Sequence, residues 1–177
     1  MSRITLVLNR PLVPSETFQR ALVESLVSGG HQVSVHALRG AAGGAGGGDG
    51  LVVRGGPATV ARSVAGAPHR ALAVAARRAT ARYGRSAVAA RAALLAGPIL
   101  ATRPDVVHAG FSGIAVALAP AWPLLEGVPL VVSCRGSAEL VRAALDEQRA
   151  RELGAVLREA AVVHCVADAV ADAVVEM

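Results

Sequence analysis

Three short stretches of this chain combine residue types that can do chemistry. Ser15 and Glu16 stand at the head of a predicted helix, His108 closes the run "DVVHAGF", and Arg135, Gly136 and Ser137 lie in "SCRGSAEL" between a predicted strand and a helix. Arginine donates hydrogen bonds but has no usable basicity at neutral pH, so Arg135 cannot serve as a general base. Its planar fork suits a phosphate or carboxylate, and the bland alternative is a surface ion pair. Gly136 and Ser137 sit where backbone N–H groups at a helix start are free to bind an anion. Ser15 reads as a helix N-cap, with Glu16 favoured by the positive end of the helix dipole. His108 is either a packed strand terminus or a cleft side chain, and the residues alone leave both open.

Other chemistries find little support. Cys134 and Cys165 each fall near the end of a different predicted strand, with no CxxC pair. His31, His36, His69, His108 and His164 are scattered without zinc-ligand spacing, so neither a metal nor another cofactor is expected. The first strand-to-helix turn contains Pro11 and Pro14 where a dinucleotide-binding domain would carry glycines. Two prolines remove two N–H donors and hold the backbone away from a pyrophosphate, so this turn suits a cleft wall better than a nucleotide seat. The absence of GxGxxG counts against a nucleotide-binding protein of another Rossmann type.

The elements that must position these residues alternate. Apolar runs at Ile4–Asn9, Gln32–Leu38, Leu51–Arg54, Val106–Ala109, Leu130–Cys134 and Val162–Val166 read as strands. They are apolar on both faces, which indicates a parallel sheet of about six strands covered by helices on both sides, a three-layer α/β/α architecture. A helix from Thr17 to Leu26 is expected to present Phe18, Leu22 and Leu26 on one face and to stop at Gly29-Gly30. "GAAGGAGGGDG" is a low-complexity loop. Alanine-rich helices are expected over Pro57–Thr102 with breaks near Pro68, Gly84 and Gly97-Pro98. Further helices are expected from Ile114 to Leu125, from "RGSAEL" to Glu159, and from Asp168 onward. The last has no C-cap signal, which suggests a truncated domain whose Val170, Ala173 and Val174 are partly exposed.

Hydrophobic residues make up 53% of the 177-residue chain, but aromatics only 2%, so the core must be built from small side chains. Val106–Leu125 is free of charge and long enough to span a bilayer, yet Gly110, Gly113, Pro120 and Pro123 argue for a strand, a turn and a buried helix instead. No signal peptide is recognisable, and a cytoplasmic location is expected. All 18 basic residues are arginine. Arg70, Arg77, Arg78, Arg82, Arg85 and Arg91 lie in an acid-free segment and, if helical, share about half a helix circumference. This is either a solvated face or a peripheral contact with the anionic inner face of a membrane. Nucleic acid is not expected, since Tyr83 is the lone aromatic in that segment.

"PSETF", "GGHQVSVHALR", "RPDVVHAGFSG" and "GVPLVVSCRGSAEL", followed by "LREAAVVHCVADAVADAVVE", occur in an order that resembles the N-terminal domain of the retaining GT-B glycosyltransferases of the group-1, or family-four, class. The resemblance covers nearly the whole chain. It implies a Rossmann-like domain forming the acceptor-side half of a two-domain enzyme, with the C-terminal donor-binding domain absent. That missing domain would hold most of the nucleotide-sugar donor, a co-substrate rather than a cofactor. It also implies that Ser15, Glu16, His108, Arg135, Gly136 and Ser137 border the acceptor and the donor phosphates. The family often has His-Ala-His-Phe where this chain has Gly110, so one acceptor-side contact is lost. It commonly has His before the glycine of the later motif and an acid three residues beyond; here those positions are Arg135 and Ala138, with Glu139 one place later. No catalytic residue is therefore assigned. Two functions follow: half of a glycosyltransferase acting on a glycan, lipid or small molecule and inactive alone, or a non-catalytic module that binds an anionic ligand or partner and has some tendency to self-associate.

Overall fold

A computed structural model describes residues 1–10, 17–38, 51–55, 69–136, 141 and 145–177, with backbone alone at 51–55 and 69. In chain order the elements are β1 (Arg3–Leu8), α1 (Thr17–Ser28), β2 (Gln32–Ala37), β3 (Leu51–Gly55), α2 (His69–Tyr83), α3 (Ala87–Ala101), β4 (Val106–Ala109), α4 (Ser112–Leu118), a 3₁₀ turn (Trp122–Leu124), β5 (Leu130–Cys134), α5 (Glu147–Glu159), β6 (Val162–Cys165) and α6 (Asp168–Val175). The six strands form one parallel sheet in the order β3-β2-β1-β4-β5-β6. All six expected strands are present, within a residue or so at each end. Continuous apolar runs mark them because a parallel sheet is covered on both faces.

One face of β1 and β2 packs under α1 through Leu6, Leu8, Val33, Val35 and Val23. The other face carries Val7, Val107, Ala109 and Val132 beneath the remaining helices. At the edge away from the strand C-termini, Arg3 clamps Asp105: its backbone N–H and its guanidinium each donate to the carboxylate at 2.7 Å. That pairing holds the Asp105 carboxyl at about 2, below its usual range.

Several sequence expectations need correction. The inward face of α1 is centred on Gln19 and Val23, while Phe18 is 36% exposed at its margin. The expected break at Gly97-Pro98 does not occur, because α3 runs through both. Gly97 is there for close approach: a Cβ would come within 3.0 Å of Leu72 Cδ1 on α2. The helix expected to reach Leu125 ends at Leu118, and the Pro120–Pro123 segment turns through 3₁₀ geometry instead. Val170 is buried rather than exposed, and Ala173, Val174 and Met177 pack against the same core, so α6 is docked.

The break at Gly84 is present, with φ +63°, and divides the arginine-rich segment into a two-helix hairpin. Arg78 does not belong to the solvated set. It reaches inward to donate to the Leu124 carbonyl at 2.6 Å and pairs with Glu126 at 3.6 Å. The expected helix over Pro57–Pro68 and the loop Gly40–Gly50 lie outside the described residues.

Candidate functional site

The strand order reverses between β1 and β4, with β2 and β3 on one side and β5 and β6 on the other. In open parallel sheets the crevice outside the strand C-termini at such a point is the usual ligand site. Here it is reached by the ends of β1, β4 and β5 and the start of α1, the places that carry Leu8, His108 to Phe111, Arg135 to Gly136, and Phe18 to Gln19.

His108 and Ser133 meet across β4 and β5, Nε2 to Oγ at 2.8 Å, and Ser133 Oγ lies 3.4 Å from His164 Nδ1 on β6. Ser133 is fully buried. Its single hydroxyl proton can serve only one ring at a time, so the two imidazoles and the serine form a coupled row in which one tautomer choice fixes the other. Burial pushes the His108 imidazole down to about 4, and the Arg135 cation and the His164 ring add to the effect. His108 is thus neutral at physiological pH. It is half-buried and bonded through its side chain to Ser133.

Arg135 follows β5 and lays its guanidinium over the Phe18 ring, 4.3 Å from the centroid. Phe18 in turn meets Phe111 edge-to-face with centroids 5.8 Å apart. Such contacts favour a cation over a ring face and T-shaped aromatic pairs. No described carboxylate pairs with Arg135, and its Nε is buried without a hydrogen-bond partner. Burial lowers its pKa, but guanidinium stays protonated in proteins. Arg135 is a partly buried cation packed on an aromatic ring, and the described residues give it no ion pair.

The structure therefore brings His108, Arg135 and Gly136 to one edge of the sheet. Ser15, Glu16 and Ser137 lie outside the described residues. Sequence reasoning missed Phe18 and Phe111 as a pair, and it missed Gln19, which is 1% exposed with both side-chain polar atoms unpartnered. The i, i+4 relation to Val23 is the available signal, but glutamine reads as polar and so does not mark an inward position. Gly110 is explained by the same packing. A Cβ there would lie 2.7 Å from Leu8 Cδ2 and 3.4 Å from Gln19 Nε2, so any side chain at this position requires the buried Leu8 side chain to shift.

Elsewhere, a groove of about 680 Å³ opens between α5, α4 and the end of α2, lined by Tyr83, Arg91, Pro120, Arg149, Glu152 and Glu159 among others. None of the strand-end residues lines it. Cys134 and Cys165 are register partners on the neighbouring strands β5 and β6, and no disulfide joins them. Among the described residues no cluster of His, Cys, Asp or Glu is arranged to hold a metal ion, and no helix is long and apolar enough to cross a membrane.

With this geometry in hand, comparison with family models gives a match to the glycosyl transferase 4-like domain over residues 15–177. The chain belongs to that family. A comparison with curated proteins finds no match. The glycosyl transferase 4-like domain thus spans every element from α1 to α6, and the three-layer parallel fold is the one that the ordered motifs implied.

Proposed function

We propose that this glycosyl transferase 4-like domain is the acceptor-side half of an enzyme that moves a sugar from a nucleotide-sugar donor to an acceptor. A second Rossmann-like domain would hold most of the donor. The observation that carries this reading is Arg135: a cation at the crevice of the sheet, without a described acid partner, whose Nε is buried and unsatisfied. A phosphate or carboxylate of the bound molecule supplies the missing acceptor, with Gly136 next to it. Ser15, Glu16 and Ser137 would border the same molecule. His108 contributes a neutral, hydrogen-bonded imidazole whose position is fixed by Ser133.

Sugar transfer needs stabilisation of the departing diphosphate and the holding of two substrates together, so one half is expected to be inactive by itself. Co-expression with a donor-binding domain, followed by a screen of nucleotide sugars, should give transfer that Arg135→Gln abolishes. Transfer by the isolated chain would refute the division of labour. Transfer by no combination, together with anion binding that depends on Arg135, would instead favour the non-catalytic module.

A second observation favours peripheral membrane contact. Arg70, Arg77, Arg82, Arg85 and Arg91 are exposed on the α2–α3 hairpin, and Val88 and Leu94 are about half exposed between or beside them. Apolar side chains set among arginines suit an anionic leaflet.

A further inference from the structure

Ser133 is a fully buried hydroxyl set between a half-buried imidazole and an exposed one. His108 Nε2 lies 2.8 Å from Ser133 Oγ, and Oγ lies 3.4 Å from His164 Nδ1. Strand register builds this row. His108 pairs with Val131 on β5, two residues before Ser133, and Ser133 pairs with His164 on β6, so all three side chains project from one face of the sheet. The row starts on the edge strand, where His164 meets solvent, and ends on the strand that reaches the crevice.

A hydroxyl has one proton to give, so the row is satisfied in only two arrangements. In the first, Ser133 donates to His164 Nδ1 and accepts from an N–H at His108 Nε2, which leaves His108 Nδ1 as a lone pair. In the second, His164 donates from Nδ1, Ser133 donates to His108 Nε2, and His108 carries its proton on Nδ1. The bond made by one ring nitrogen thus sets the state of the other. A neutral exposed imidazole ordinarily carries its proton on Nε2, which gives the first arrangement. A protonated His164 has an N–H at both nitrogens and can only donate, which forces the second.

A proton added to the row goes to His164, because burial and the Arg135 cation act against charge on His108. Few other groups intervene. Arg135 follows β5, Cys134 and Cys165 alternate to the opposite sheet face, and α1 turns Gln19 and Val23 inward while Arg20 and Glu24 stay exposed. His108 Nδ1 makes no hydrogen bond to a described residue and is not enclosed without one.

We propose that His164 is a positioning residue that sets, through the Ser133 hydroxyl, which nitrogen of His108 carries the proton. Protonation at the surface of β6 converts His108 Nδ1 from an acceptor to a donor without placing charge on it. Its effect on a bound molecule rests on the proposed role of His108 at the crevice, but the tautomer is read in the chain without any ligand, so the two fail separately.

The test is histidine-detected NMR of the chain labelled with 15N on its imidazoles, comparing wild type, His164→Val and Ser133→Ala between about pH 8 and about pH 5. In wild type the order of the two His108 nitrogen shifts, one pyrrole-type and one pyridine-type, should invert, with the same midpoint as protonation of the His164 ring. In His164→Val, an exposed strand position suited to a β-branched residue, the order should stay fixed over that range. In Ser133→Ala the His164 ring should still take up its proton while His108 no longer follows. Should Ser133→Ala fail to fold, His164→Val carries the test. A His108 order that stays fixed in wild type while His164 protonates overturns the proposal, and so does an inversion that persists in His164→Val. Protonation of both His108 nitrogens at the His164 midpoint overturns it as well, because His108 would then be taking up charge rather than exchanging tautomers.

Discussion

Lowering the pH tests the environment of His108. In the native state burial, Arg135 and His164 hold its imidazole near 4, against 6.5 for an unperturbed ring. Between those values the unfolded chain carries a proton that the folded chain refuses. Stability therefore rises with pH across this window. The contribution is fully present above pH 6.5 and is lost as pH falls through about 4. At about 1.4 kcal/mol for each pH unit, the loss approaches roughly 3 kcal/mol. His108 is not fully enclosed, and water access brings the expected figure toward 2–3 kcal/mol on the same scale. Urea unfolding from pH 7.5 to 4 should show it as the difference between wild type and His108→Gln, whose amide can still meet the Ser133 hydroxyl. Wild type should lose about 2–3 kcal/mol relative to the variant, mostly below pH 6.5. Arg135→Gln should raise the His108 midpoint in an NMR titration, and His164→Gln should raise it less, following the order of their effects on the ring. A flat difference curve, or a His108 midpoint near 6.5, would show that the ring is solvated and that the row through Ser133 does not hold.

Two further outcomes follow from packing. Gly110→Ala should destabilise the domain by about 1–3 kcal/mol, because its Cβ meets Leu8 Cδ2 at 2.7 Å within a closed core; thermal unfolding checks it, and a neutral result would mean Leu8 has room to move. Arg78→Gln should cost about 1 kcal/mol through its lost bond to the Leu124 carbonyl yet leave sedimentation with anionic vesicles unchanged, whereas Arg77→Gln with Arg85→Gln should keep stability and reduce vesicle binding.

How far the sequence reached can be judged from particular elements. β4 and β5 were located to the residue because Pro104-Asp105 and Gly127-Val128-Pro129 mark their starts and Gly110 and Arg135-Gly136 follow their ends. Gly84 and the Gly29-Gly30 stop were legible for a different reason: Gly30 and Gly84 adopt φ of +80° and +63°, a region that other residues avoid. Arg135 was singled out as a donor that cannot act as a base, and that conclusion needs only its chemistry.

What the tertiary structure decided were the partners. Whether Arg78 points to solvent or to the Leu124 carbonyl depends on a segment 46 residues away, and the Asp105 clamp on Arg3 joins positions 102 residues apart. Neither is encoded in local periodicity. Pro98 inside α3 reads as a break in isolation, but Gly97 lets that helix approach Leu72 on α2, and burial of this face outweighs the lost backbone bond. Gln19 is the clearest case. Its residue type predicts exposure, and only the approach of Gly110 from β4 reveals it as buried and unsatisfied. Composition and spacing determine which elements form, because backbone geometry is local. Which side chains meet is set by strand order, and strand order is a property of the assembled sheet.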